Sequence, residues 1–336
     1  MKNENDIFQT MQDDINRSDV DETTKRKLFQ NVLNLKDKKI NLMITGATGA
    51  GKSSTINALF KTEVAKVGTG VNPETMDIKK YELDNLILWD SPGLGDGKEK
   101  DIQHSKGIID KLYEKDSDGN LLIDLVLVIV DGSTRDLGTS YELINSVIIP
   151  NLGKDVDTRL LVAMNQADVA MRGRNPWDHE NNKPTPQSKK FLDDKIISIK
   201  RRIREATNAS IEPIYYSAGY KEEGEEQRPY NLSKLLYFIV SNTPTEKRLG
   251  FIKNISNDNE MWKDSDEIID YNREIKKSFA ETIVESATKG ADIGGSIGKI
   301  FGGTGEAIGR VAGGVIGAIG GAISSVASSI GSFFSW

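Results

Sequence analysis

Gly46-Ala47-Thr48-Gly49-Ala50-Gly51-Lys52-Ser53 is the stretch that most narrows what this chain can fold into. It fits the pattern G-x-x-x-x-G-K-[ST], in which successive backbone amides wrap a phosphate group. Such a loop works between a strand that delivers it and a helix whose positive N-terminal end faces the same anion. Glycines keep the backbone open to the phosphates and tolerate the positive φ angles of the loop. The flanks agree with this reading. Lys39–Thr45 reads as a short buried strand and Ser54–Phe60 as a helix. Lys52 is expected to neutralise the β- and γ-phosphates and Ser53 to place its hydroxyl on Mg²⁺. Gly46 through Ser54 would form the cradle.

The same strand-then-helix rhythm continues along the chain. Candidate strands are Ile40–Thr45, Asp77–Leu83, Leu86–Asp90, Leu125–Asp131, Arg159–Asn165 and Pro213–Ser217, with helical patterns between them. Alternation of this kind predicts an α/β fold with a parallel-rich sheet covered by helices. Four segments follow: 1–38, two polar helices; 39–244, the α/β domain; 245–289, charged and helical; and 290–336, rich in glycine and almost free of charge. Ile7, Phe8, Met11 and Ile15 share one face of the first helix. Leu28, Phe29, Val32, Leu33 and Leu35 form a stripe on the second, and both stripes are expected to pack on the main domain. Ile268, Ile269, Ile275, Phe279, Ile283 and Val284 are expected to line one helical face. Arg172–Ser188 is polar, contains three prolines and reads as a loop or lid.

Composition excludes some classes. The net charge of −6 comes without a strongly basic segment, so no DNA partner is expected. The chain of 336 residues has no cysteine, which removes disulfides and thiolate metal sites. The polar, acidic start lacks the apolar core of a signal peptide. A cytoplasmic location is therefore expected, either free or at the inner membrane through residues 290–336.

Two further motifs specify the nucleotide. Asp90-Ser91-Pro92-Gly93 follows the apolar strand Leu86–Trp89. An Asp at that strand end can hold Mg²⁺, usually through water, and the Gly93 amide can sense the γ-phosphate. Asn165-Gln166-Ala167-Asp168 ends another apolar strand. The Asp168 carboxylate can accept both N–H donors of guanine, whereas adenine would leave it unpaired at a cost of a few kcal/mol. Asn165 would brace the loops, and a backbone N–H at Ser217-Ala218 would meet guanine O6.

With these motifs in order, the chain resembles the TRAFAC GTPases of the Era/TrmE-like group, and the bacterial YfjP-like GTPases most of all. The phrase GATGAGKSSTINAL at Gly46–Leu59 also looks like immunity-related and septin-type GTPases. The resemblance covers roughly Leu28 to Pro244. It implies a Ras-like G domain of the P-loop NTPase fold, GTP or GDP with Mg²⁺, hydrolysis of GTP to GDP and phosphate, and a homodimer through the G domain. It also places the Mg²⁺-binding switch I threonine at Thr75, in Asn72–Ile78, with Thr69 as the alternative. Three positions depart from the pattern. Gln166 stands where a lysine is usual, Leu94 stands where Ras-like enzymes carry a water-orienting glutamine, and Gly49 replaces the asparagine of potassium-activated relatives. With Leu94 unable to orient water, hydrolysis is expected to be slow or completed in trans. Arg135, after a strand end on the nucleotide face, is either a residue that reaches across a dimer or a surface arginine paired with Asp136 or Asp131. His104 is a second candidate under the same choice.

Glycines at 290, 294, 298 and 302, then at 305, 309, 313, 317 and 321, repeat G-x-x-x-G. On a helix this makes a groove for close helix approach. No charge follows Arg310, leaving 26 residues (336 − 310), long enough to cross a hydrocarbon core as a helix. Phe333, Phe334 and Trp336 suit an interface belt. Three readings stay open for this tail: a membrane-associated or inserting segment, a helical hairpin packed on protein, and a disordered Gly-rich extension. At the level of function, a GTP-operated switch stands beside a membrane effector or assembly protein whose output is the tail. A ribosome partner ranks third, because no basic RNA-binding module follows the domain.

Overall fold

The computed structural model describes residues 7–60, 78–173, 176–222, 225–256, 258–291 and 300–301. In chain order the elements are α1 (Ile7–Arg17), α2 (Glu22–Asp37), β1 (Ile40–Gly46), α3 (Lys52–Leu59), β2 (Lys79–Leu83), β3 (Leu86–Asp90), α4 (Lys98–Tyr113) and β4 (Leu125–Asp131). Then come α5 (Gly138–Glu142), continued by a π-helical turn Leu143–Ile148, α6 (Val156–Arg159), β5 (Leu160–Asn165), β6 (Trp177–Asp178) and β7 (Lys183–Pro184). The remainder is α7 (Pro186–Thr207), β8 (Ile214–Tyr215), β9 (Tyr220–Glu222), β10 (Glu225–Gln227), α8 (Leu232–Asn242) and α9 (Tyr271–Thr282).

Six strands form one sheet in the order β2-β3-β1-β4-β5-β8. All neighbours are parallel except the edge pair β2–β3. The fold is thus α/β with a mostly parallel sheet. Strands buried on both faces read as unbroken apolar runs, and their period of two sorts those runs between two cores. Ile40, Leu42 and Ile44 of β1, with Leu125, Leu127 and Ile129 of β4, join the core under α1, α2, α3, α8 and α9. Met43, with Val126, Val128 and Val130, joins the core under α4, the π-helical turn and α7.

Helix boundaries follow local chemistry. Asp21 accepts from the Thr23 and Thr24 amides and starts α2. Thr185 caps α7, and Pro186 occupies its first turn, where no amide partner is lost. Both amphipathic N-terminal stripes face inward: Ile7, Phe8, Met11 and Ile15, then Leu28, Val32 and Leu35, are buried. Phe29 is partly buried against the same core.

The structure corrects several expectations. Leu33 is exposed, because it falls one position off the α2 face. The second strand begins at Lys79, and Asp77 lies outside the described residues. Arg159 ends the short α6 instead of starting β5, since its guanidinium turns back to the Leu152 and Ile123 carbonyls. The last sheet strand shrinks to Ile214–Tyr215 because Ser217 pairs with Tyr230 instead. Arg172–Ser188 is more than a loop: β6 pairs antiparallel with β7, and buried Trp177 stacks edge-on with Tyr230. Ile268 and Ile269 are exposed ahead of α9 and do not share its buried face with Ile275, Phe279 and Ile283.

Past α9 the helical run ends at Ala287, and the chain turns through Gly290, whose φ is +70°. The first rung of the glycine repeat thus sits in a turn closed by the Ala291 amide on the Thr288 carbonyl. Asn31 of α2 donates to the Ala287 and Lys289 carbonyls, and Lys27 to that of Gly290. Ile300 and Phe301 are buried in the core under α8 and α9. The other glycines of the repeat, from 294 to 321, lie outside the described residues, as do Arg310, Phe333, Phe334 and Trp336. Among the described residues no helix is long and apolar enough to cross a membrane.

Candidate functional site

Parallel strands end on the same edge of a sheet, so their following loops meet there. The register brings Ile44 opposite Asp90, Gly46 opposite Ile129, and Asp131 opposite Asn165. The phosphate-loop sequence, Asp90 and Asn165 thereby arrive at one edge.

The loop after β1 turns into α3 through Gly51, at φ +86°. A Cβ there would stand 2.2 Å from Asn165 Nδ2, so both the angle and the space require glycine. The first amides of α3 lack intrahelical partners and face the loop. Lys52 folds back over it, its Nζ donating to the Gly46 carbonyl at 3.3 Å and to that of Ala47 at 3.1 Å. Burial lowers the Lys52 pKa, opposed by the charges of Asp90 and Asp96.

Asp90 is 2% exposed and its Oδ1 has no hydrogen-bond partner among the described residues. Burial pushes its carboxyl up to about 6, against the pull of Lys52 and Lys79. An orphaned buried carboxylate oxygen is costly unless something positive or a donor meets it. Oxygen donors of this kind suit Mg²⁺, which keeps several waters and takes one or two protein ligands beside phosphates. The residues present therefore fit that ion, with Asp90 and Ser53 as its protein side. Ser53 stands in the first turn of α3.

The segment after Asp90 closes onto the phosphate loop. Ser91 donates its amide to Ile44 and its hydroxyl to Thr45. The Thr48 amide donates to the Leu94 carbonyl at 3.0 Å, and a Cβ on Gly93 would lie 2.5 Å from the Thr48 nitrogen. The Leu94 side chain is buried in the core. His104 of α4 is also buried, its Nδ1 3.1 Å from the Gly93 carbonyl oxygen. His104 thus lies within the protein, not on its surface.

The loop after β5 is stapled to the phosphate loop by side chains. Asn165 Nδ2 donates to the Ala50 carbonyl at 3.1 Å while its Oδ1 accepts from the Ala218 amide at 3.0 Å. Gln166, in a left-handed conformation, donates to the Gly49 carbonyl at 3.0 Å. The lysine position of the pattern thus carries a neutral donor that closes the loop. Ala167 donates to the Tyr216 carbonyl, and Asp168 is buried in the same turn. The Ser217 amide donates to Tyr230, and the Tyr216 hydroxyl meets Thr55 Oγ1 of α3 at 2.6 Å.

Gly46–Ser54, Asp90, Gly93, Asn165, Gln166, Asp168, Ser217 and Ala218 therefore lie on elements that converge at this edge. Arg135 is exposed and makes no ion pair among the described residues. Its neighbour Asp131 instead accepts from Ser133, and Asp136 caps the Gly138 amide. Thr75 and Thr69 lie outside the described residues. Sequence reasoning passed over Asp96, Thr55 and Tyr216. For Asp96 a signal existed, since it sits between Gly95 and Gly97 directly after the Asp90–Gly93 motif.

Comparison with known proteins is consistent with this geometry. Residues 41–166 match the family model described as 50S ribosome-binding GTPase. The chain is 23% identical over 220 residues to mouse interferon-gamma-inducible GTPase 10, covering 64% of this chain and 46% of that protein. It is 28% identical over 148 residues to the uncharacterised protein YfjP of Escherichia coli K12, covering 43% and 47%. The chain spans about half the length of these two relatives. Among solved structures, Toc33 of Arabidopsis thaliana with Mg²⁺ and GMPPNP aligns at 16% identity, over 62% of this chain and 84% of that one, with a TM-score of 0.39. The fold assignment rests on this chain's own strand order. Residues 41–166 thus resemble a GTPase domain, and their motifs suit GTP or GDP with Mg²⁺.

Proposed function

We propose that this GTPase-type domain gives the whole chain its activity: Mg²⁺-dependent binding of GTP and its hydrolysis to GDP and phosphate. One observation carries the reading. Asp90 presents a buried carboxylate oxygen with no partner among the described residues, its charge felt by Lys52, at the loop that Asn165 and Gln166 fasten to the base-side turn. Lys52 would hold the β- and γ-phosphates, and its charge would stabilise the negative charge that develops there. Mg²⁺ would supply further neutralisation of the phosphates, held by Ser53, Asp90 and, from the resemblance, Thr75. Gly93 would report the γ-phosphate to α4 through the adjoining segment, as a switch requires. Asp168 would select guanine.

Calorimetry tests this directly. GTP and GDP should bind in the presence of Mg²⁺, and the Asp168→Asn variant should prefer xanthosine nucleotides over guanosine nucleotides. Retained guanine preference in that variant would remove Asp168 from base recognition, and no heat with either nucleotide would remove the reading.

A second reading, that GTP governs an output made by residues 290–336, is supported by the G-x-x-x-G repeat and the lack of charge after Arg310. Phosphate release by residues 1–289 beside liposome sedimentation of the full chain, with and without a non-hydrolysable GTP analogue, separates the two. Undiminished turnover with lost sedimentation favours the tail as output. A homodimer through the domain, with Arg135 reaching the partner's nucleotide, fits the exposure of that side chain. Turnover that rises with protein concentration would support it.

A further inference from the structure

The resemblance leaves the reaction without a group to orient the attacking water, because Leu94 occupies that position and its side chain is in the core. The same short loop carries another polar group. Gly93-Leu94-Gly95-Asp96-Gly97 runs from the γ-phosphate sensor to the start of α4. Gly95 and Gly97 take φ of +111° and +116°, which turns the chain sharply on both sides of Asp96. The Asp101 carboxylate fixes that turn by accepting from the amides of Gly95 at 2.9 Å and Asp96 at 3.3 Å. Asp96 Oδ2 is withdrawn from solvent and has no hydrogen-bond partner among the described residues. Its charge acts on Lys52, as does that of Asp90.

The charges of two carboxylates thus reach one lysine at the phosphate loop, although neither pairs with it directly. Asp90, at the strand end, is 2% exposed and keeps an oxygen with no partner among the described residues. Both orphaned oxygens are acceptors, and water is the donor available to an acceptor beside a phosphate. Asp90 already has a role beside Mg²⁺. Asp96 is on the loop that touches Thr48 and follows Gly93, the γ-phosphate side of the cradle.

We propose that Asp96 is the catalytic residue that holds and deprotonates the attacking water, doing with a carboxylate what Leu94 cannot. In this step the water oxygen bonds to the γ-phosphorus. The bond from that phosphorus to the bridging oxygen breaks, and its electron pair stays on the β-phosphate of GDP. Asp96 takes the water proton and hands it to the departing phosphate. The inference rests on the GTPase reading above, and the test separates the two failures.

The experiment compares the full chain with Asp96→Asn, which keeps size and polarity but removes the base. GDP affinity by calorimetry should stay within about twofold, since a group acting only on the reacting water adds no ground-state binding. Single-turnover GTP hydrolysis should fall about 100-fold, in the range for removal of a general base. The wild-type chain should bind GDP more tightly when aluminium fluoride supplies a γ-phosphate mimic, and the variant should lose that gain. Asp96→Glu should restore part of both. Equal hydrolysis rates in variant and wild type would overturn the proposal. So would a variant that needs about tenfold more Mg²⁺ to bind GDP, which would make Asp96 an ion ligand instead. A wild-type chain that fails to bind GTP would defeat the underlying reading instead.

Discussion

At the residue scale, the site is governed by side chains that close two loops onto each other. Asn165 is the hub, donating from its amide nitrogen to the Ala50 carbonyl and accepting from the Ala218 amide at its oxygen. Each such bond, once made in a buried place, leaves an orphan costing about 1–3 kcal/mol when one partner is removed. Gly51 is the opposing surface. Gly51→Ala would push a methyl to within 2.2 Å of Asn165 Nδ2 and hold an alanine at φ +86°. The expected outcome is at least tenfold weaker GTP binding by calorimetry, about 1.4 kcal/mol, since Asn165 has to leave one loop or the other. Lys52, folded over the Gly46 and Ala47 carbonyls, is held where phosphate oxygens would replace those acceptors. Asn165, Asp168 and the phosphate loop were legible in the sequence because each follows an apolar strand. Asp96 was passed over although Gly95 and Gly97 flank it in the sequence; what no linear pattern records is the turn that Asp101 fixes around it.

At the scale of elements, the central strands declared themselves because burial on both faces makes β3, β4 and β5 apolar up to their last residue and leaves β1 only Asn41 and Thr45 as polar side chains. The two-residue strands β6, β7 and β8 offer too few positions for any period to emerge. Arg172–Ser188 looked like open loop for that reason, although Trp177 anchors it through an Nε1 donor to Asn182 and Asn182 in turn donates to Asp264. Ile268 and Ile269 fit the helical period of α9 by spacing, but the helix starts only where Asp270 caps it. Elsewhere, a 3₁₀ helix at Thr245–Phe251 is tied under the sheet by Lys247, whose Nζ lies 2.6 Å from Asp124 Oδ1. Asp124 Oδ2 also accepts the Asn41 amide of β1. Lys247→Met would leave that buried carboxylate without its cation, a loss of about 3–5 kcal/mol expected in urea denaturation. The double variant with Asp124→Asn should recover part of it, and an unchanged midpoint would show that the pair adds nothing.

At the scale of the whole molecule, both flanking helical segments share a core with the sheet instead of hanging from it. Met11 is fully buried beside Ile7, Phe8 and Ile15. Met11→Ala should lower stability by about 2–5 kcal/mol, read as a reduced thermal midpoint, because the cavity opens in the common core. GTP affinity of the folded variant should be unchanged, since α1 shares a core with α3 but contributes none of the residues placed in the site. A normal midpoint would mean that α1 is only loosely applied. The turn at Gly290, held by Lys27 and Asn31 of α2, has a geometric consequence. The place of this turn is written into a helix encoded some 263 positions earlier. Trimming the opening helices would therefore do more than shorten one end: it would unmoor the launch point of the other.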